Sequence, residues 1–203
     1  MLAFIFDFGG VLVDWNPHYL YDTYFGSRDK ADWFLTNICS SAWNAQMDAG
    51  KPFAEGIAEK VAEFPEWEHE IRMYRDEWTR MMGEQIPDMQ GVLEDLRAKG
   101  HRLYGLTNWA ADTFALVRHR YPIFDLLDGM VVSGEEKVAK PDPRIFRILF
   151  ERYDIDPAQA LFVDDSMPNI TAARALGMQA ILFRSASQLR QSLNDLSIPI
   201  RSN

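Results

Sequence analysis

Apolar positions along the chain follow two rhythms. Leu2 to Phe6 is a short apolar run ending at Asp7 and Gly9-Gly10, which predicts a buried strand opening into a loop. From about Pro17 to Gly83 the spacing turns helical, as in Phe53, Ile57, Val61 and Phe64, and few strand-like runs interrupt it. After Pro87, helix and strand alternate. Met89 to Leu96 predicts a helix that stops at Gly100. Leu103 to Leu106, Gly129 to Val132, Ala160 to Val163 and Ala180 to Phe183 predict strands, with helices between them near Ala110 to Arg120, Arg144 to Tyr153 and Pro168 to Leu176. This alternation predicts an α/β fold, a parallel sheet with helices on both faces. The helical stretch breaks into that pattern after its first strand, so residues 16–83 are expected to be an inserted all-helical domain and residues 1–15 with 84–203 the α/β core.

Ligands of an open parallel sheet bind beyond the carboxyl ends of its strands, so the polar residues there carry the chemistry. They are Asp7 after the first strand, Thr107 and Asn108 after LYGL, Lys140 in the loop after GMVVS, and Asp164 and Asp165 after ALFV. Three carboxylates, a hydroxyl, an amide and an amine thus converge on one sheet edge. Each suits phosphoryl transfer, where positioning and charge neutralisation supply most of the catalysis. A carboxylate can attack phosphorus, but two anions repel, so a hard divalent cation must lie between them. Magnesium takes oxygen ligands, which Asp7 and Asp165 could supply. Thr107 and Asn108 could hold phosphate oxygens, and Lys140 adds a compact positive charge that also steadies Asp7.

The segments FIFDFGGVLVD, GLTNW, EEKVAKPDPRIF and LFVDDSMPNI resemble, in order, the four motifs of the haloacid dehalogenase-like hydrolases. The resemblance runs over nearly the whole chain and implies a Rossmann-like core with a helical cap domain after the first motif. It implies that Asp7 is the nucleophile of a magnesium-dependent phosphatase working through an aspartyl-phosphate, Thr107 the phosphate-binding hydroxyl and Lys140 the motif lysine. It further implies that Asp165 is the main metal carboxylate, Asp164 its neighbour at the metal, and the Gly9 carbonyl a further ligand. Asn169 falls where relatives often carry an acid behind the metal ligands.

Position 9 departs from the pattern. Most phosphatases of that family have a second aspartate there, which protonates the leaving oxygen and later activates water; Gly9 keeps the carbonyl but cannot move a proton. Either the leaving group is already good, as in a sugar 1-phosphate, or another residue substitutes. The segment Asn44 to Lys51, read as a loop between cap helices, offers Gln46, Asp48 and Lys51 as residues that could reach the site and select substrate.

Composition narrows the alternatives. Of 203 residues, 47% are hydrophobic and 25% charged, as in ordinary globular chains. A net charge of −9 argues against general nucleic-acid binding, which needs clustered Lys and Arg, but leaves a small phosphorylated substrate open. Cys39 is the only cysteine, and His18, His69, His101 and His119 lack metal-ligand spacing, so disulfides, zinc and a His-based triad are not expected. No apolar run reaches the roughly 20 residues of a membrane span, and no secretory leader pattern opens the chain, so the expected location is the cytoplasm. Trp33, Trp43, Trp67 and Trp78 read as core. Two rival readings stand beside the phosphatase. One is a metal-independent 2-haloacid dehalogenase, disfavoured by the Asp164-Asp165 pair, and the other a catalytically weak binding or regulatory protein on the same fold.

Overall fold

A computed structural model describes residues 1–198. Strands β1 (Ala3–Phe6), β4 (Arg102–Thr107), β5 (Gly129–Val132), β6 (Ala160–Asp164) and β7 (Gln179–Leu182) form a parallel sheet in the order β5-β4-β1-β6-β7. β1 is central, with β4 and β6 bonded along its two edges. The sheet is parallel as the helix-strand alternation predicts, and its strand bounds lie within one residue of those expected.

Both faces of β1 are covered, which is why its sequence is unbroken apolar. Successive side chains alternate between two cores. Phe4 and Phe6, with Leu103 and Leu161 of the neighbouring strands, pack with Val92, Leu93 and Leu96 of α6 (Met89–Ala98) and Leu189 and Leu193 of α11 (Ala186–Asp195). Ala3 and Ile5, with Tyr104 and Phe162, pack with Ile145, Phe146 and Leu149 of α9 (Pro143–Tyr153) and Ile170 and Ala173 of α10 (Met167–Ala175). α9 starts where Pro143 occupies the first turn and the Asp142 carboxylate accepts from the Arg144 amide.

Between β2 (Val13–Trp15) and β3 (Met82–Gln85) run five α-helices: α1 (His18–Phe25), α2 (Arg28–Asn37), α3 (Ser41–Asp48), α4 (Phe53–Glu63) and α5 (Glu68–Asp76). Their buried side chains, among them Tyr21, Phe34, Trp43 and Tyr74, join the first of the two cores, so insertion and sheet share one apolar mass. The remaining helices, α7 (Ala111–Val117) and α8 (Ser133–Glu136), follow β4 and β5.

Three expectations need correction. β2 and β3 pair antiparallel at the base of the insertion, whereas Met82 and Gly83 read as the end of the helical stretch; strands of three and four residues are too short to show alternation. α11 was not expected at all. The segment from Asn44 to Lys51 is mostly not a loop: Asn44, Gln46 and Asp48 lie on α3, which Ser40 caps by accepting from the Trp43 amide, and the chain leaves it through Gly50 at φ +98°. Among the described residues no helix is long and apolar enough to cross a membrane.

Candidate active site

The sheet delivers its strand-end residues to one place. Asp7 follows β1, and its amide donates to the Val163 carbonyl, so the residue is held to the neighbouring strand before the chain turns away. The turn is built on the Phe8 carbonyl, which accepts from the amides of Val11, Leu12 and Val13. One Asp7 carboxylate oxygen accepts from the Phe8 amide at 2.7 Å, which fixes the side chain's direction. Gly10 has φ +74°, the left-handed region that favours glycine, and a Cβ there would run into the Asp165 carboxylate. Gly9 differs: its φ is not in that region, and a Cβ there would meet nothing within 4 Å.

Lys140 lies at the centre of the cluster. Its buried ammonium contacts Asp7 Oδ1 at 2.9 Å and Asp164 Oδ2 at 2.7 Å, and donates to the Leu106 carbonyl at 2.7 Å. Burial opposes its charge, but the two carboxylates outweigh that cost and hold the ammonium above its ordinary pKa. For Asp7 the balance falls the other way: burial pushes its carboxyl up to about 7 against the pull of Lys140, with Asp164 adding to the rise.

Asp164 spends both oxygens within the protein. Besides Lys140, it accepts from the Ser166 amide at 2.8 Å and from Asn169 Nδ2 at 3.1 Å on each oxygen. Asn169 is therefore an orienter of Asp164. Asp165, by contrast, is open to solvent on one side; the partial burial of its carboxyl raises its pKa, with Asp164 adding to the rise. Carboxylate oxygens of Asp7, Asp164 and Asp165 lie within 4.8 Å of one another. Three hard oxygen donors at that spacing fit a small divalent cation and suit magnesium better than softer metals.

Thr107, buried, closes β4 next to Leu106, whose carbonyl takes the Lys140 ammonium. The Asn108 side chain clamps the lysine loop: Oδ1 accepts from the Lys140 amide at 2.8 Å and Nδ2 donates to the Lys140 carbonyl at 2.9 Å. That reciprocal pair engages the amide oxygen and one of its two N–H groups. The N-cap position of the helix that follows is Ala110.

A cavity opens beside Gly9, walled by Trp15, Asn44, Asp48, Trp78, Asn108 and Trp109. Among the described residues, no hydrogen-bond partner meets the buried Nε1 atoms of Trp15, Trp78 and Trp109 or Asn44 Oδ1. Four buried polar atoms without partners on one small set of walls is uncommon in a native interior. Trp78 was expected to be core only; at 3% exposed it is core and cavity wall together. Of the three insertion residues singled out in the sequence, Asp48 alone lines this cavity. Gln46 is exposed, and Lys51 is ion-paired with Glu59 and lines a separate cleft with Pro52 and Asp112. The sequence offers no role for Trp15 and names Asn44 only as the start of a segment, because nothing local shows that β2 and α3 meet the same cavity.

Comparisons with known proteins bear on the family and the fold. A family model described as haloacid dehalogenase-like hydrolase matches residues 1–177. The chain is 31% identical over 182 residues to a sesquiterpene phosphatase of Aspergillus oryzae, covering 87% of this chain and 86% of that protein. It is 28% identical over 200 residues to a phosphorylated carbohydrates phosphatase of Thermotoga maritima, covering 89% and 84%. The crystal structure of a wild-type family enzyme from Bacteroides thetaiotaomicron, in complex with magnesium and inorganic phosphate, has the same fold, with a TM-score of 0.70, 23% identity, and coverage of 92% and 96%.

Proposed function

The chain belongs to the haloacid dehalogenase-like hydrolases, and from that premise we propose that it is a magnesium-dependent phosphatase of a small phosphorylated metabolite, with Asp7 as its nucleophile. The observation that carries the reading is the contact of Asp7 with buried Lys140, itself anchored on Asp164, with Asp165 beside them at the strand ends. The insertion, residues 16–83, serves as the cap over this edge, and residues 1–15 with 84–203 as the catalytic core.

In this reading Asp7, Asp165 and the Gly9 carbonyl would hold the ion directly, with Asp164 beside it, its oxygens already engaged in organising Lys140. Magnesium bound there would draw off charge from the phosphate and so permit approach by a carboxylate. Asp7 attacks phosphorus through the oxygen not held by Lys140 and Phe8, and Lys140 neutralises the charge that remains around it. The Thr107 hydroxyl and the free N–H of Asn108 face the transferred group. A dehalogenase fits less well, because Asp165 beside Asp7 would add like charge without an ion between them.

The cavity beside Gly9 takes the leaving group. Its indole walls suit a flat or compact body, and its unpartnered indole N–H groups and Asn44 oxygen suit a ligand rich in hydroxyls, as a sugar or polyol phosphate is. The likeness to a sesquiterpene phosphatase favours a second reading, an apolar isoprenoid alcohol against the same aromatic walls. A panel of aryl, hexose, polyol and isoprenoid phosphates, assayed for phosphate release with magnesium and with chelator, separates these readings. Release should require magnesium and fall to background in Asp7→Asn; metal-independent release, or an active Asp7→Asn, overturns the proposal.

A further inference from the structure

We propose that Asp48, carried by α3 from the insertion, is the acid that protonates the leaving oxygen and the base that then activates water, in place of the side chain that Gly9 lacks. The proposal rests on Asp7 being the nucleophile. It begins with sterics. Gly10 must be glycine, but nothing in the backbone or surroundings requires glycine at position 9, so the missing side chain there is a matter of chemistry. Asp48 and Gly9 are walls of one cavity, and Asn108, clamped to the lysine loop, is a third.

Asp48 is held in place from three sides. Asn44 Nδ2 donates to its Oδ2 at 2.9 Å, the Ala110 amide hydrogen-bonds its carboxylate, and its main-chain carbonyl accepts from Ser133 Oγ at 2.5 Å. Ser133 Oγ also accepts from the Trp109 amide at 2.9 Å, so the end of α3 is tied through Ser133 to the loop that follows β4. Among the described residues no cation pairs with Asp48. The ionisable neighbour is Tyr74 of α5, whose phenol burial keeps protonated far beyond neutrality. A buried carboxyl without a counter-ion is costly to ionise, and burial pushes Asp48 up to about 7, opposed by the Ala110 amide. That is the range in which one group can serve as acid and then as base at neutral pH.

The protons balance over two steps. As the Asp7 oxygen bonds to phosphorus and the ester P–O bond breaks, the Asp48 carboxylic acid gives its proton to the departing oxygen, leaving the alcohol, an aspartyl-phosphate and the Asp48 carboxylate. Water then attacks phosphorus, its proton passing to Asp48; the Asp7–phosphorus bond breaks, and inorganic phosphate, the Asp7 carboxylate and protonated Asp48 result. Gln46 cannot do this because an amide does not titrate, and Lys51 is committed to Glu59.

The test compares an aryl phosphate with an alkyl phosphate, such as a polyol phosphate, in the full chain with magnesium. Asp48→Asn should lower kcat on the alkyl ester by about 10²-fold or more, because a poor leaving group needs its proton. On the aryl ester the first turnover should stay within about threefold of wild type, as its leaving group needs no acid. Steady-state turnover should then lag, with phosphoenzyme accumulating on Asp7 after a burst of phenol. Adding Gly9→Asp to that variant should restore the alkyl rate, since the site has room for it. Equal losses on both esters with no burst would overturn the role of Asp48 while leaving Asp7 as nucleophile; inactivity of the wild type on both would overturn the phosphatase reading itself. Should Asp48→Asn not fold, the wild-type pH profile decides. A fall in kcat/KM above about pH 7 on the alkyl ester, absent on the aryl ester, supports the proposal, and the same profile on both refutes it.

Discussion

A Cβ added at Gly10 would press into the Asp165 carboxylate from a backbone that already lies in the left-handed region, whereas one at Gly9 would enter open space from an ordinary conformation. Adjacent glycines in one loop therefore respond differently to the same change. Gly10→Ala should destabilise the protein by about 1 kcal/mol or more, since alanine at positive φ is strained, and should weaken magnesium binding by displacing Asp165. Gly9→Ala should alter stability by less than about 0.5 kcal/mol, the range of substitutions that disturb no packing or strained backbone. Urea denaturation and magnesium titration calorimetry on both variants check the contrast; equal effects would mean that Gly10 is not shaped around Asp165. Lys140 shows the same dependence on surroundings. Its charge survives burial only because Asp7 and Asp164 both reach it.

α3 is the element on which sequence and structure part most clearly. The strand ends were legible because short apolar runs broken by Asp, Thr or Asn mark where a buried strand leaves the sheet, and such marks are local. Asp7, Thr107, Asp164 and Asp165 were placed that way, and Lys140 and Asn108 came with the loops between. The helix carrying Asp48 was mistaken for a turn, because the eight-residue stretch from Ser41 to Asp48 has weak periodicity and ends near a glycine. The aromatic wall was illegible for another reason: Trp15, Trp78 and Trp109 come from β2, the segment before β3 and the loop after β4, and only the fold brings them together. Ser133, at the start of α8, was also missed, although its hydroxyl joins Asp48 to Trp109. Ser133→Ala should cost about 1–3 kcal/mol by leaving the buried Trp109 amide unpaired. It should also lower turnover of alkyl phosphates more than aryl phosphates as the end of α3 loosens. Denaturation midpoints and the two rate constants check this; an unchanged rate ratio would show that the link serves stability alone.

Over the whole molecule, the acidic site sets a conflict between folding and pH that an ion can relieve. Asp7 and Asp48 are both pushed from 3.8 up to about 7 in the fold, first by burial. A raised pKa means that the folded chain binds these protons more tightly than the unfolded chain. Stability from this source is therefore full below about pH 4 and is lost progressively as pH rises toward 7. Other groups act over the same span, so the cleanest measurement is a difference. In the proposed site magnesium would bind the carboxylate form of Asp7, so ion and proton would compete for the folded site. The rise in Tm produced by a fixed, saturating excess of magnesium should be larger at pH 8 than at pH 5.5, and the apparent Kd should weaken as pH falls below 7. Asp7→Asn should abolish most of that pH dependence, because its amide offers no proton to displace, whereas Asp48→Asn should leave the magnesium term intact while flattening the slope of metal-free stability. Thermal denaturation of the three proteins at both pH values, with and without magnesium, separates the two carboxyls. A magnesium shift independent of pH in the wild type would show that Asp7 is already ionised without the ion, and that Lys140 outweighs burial at that carboxyl.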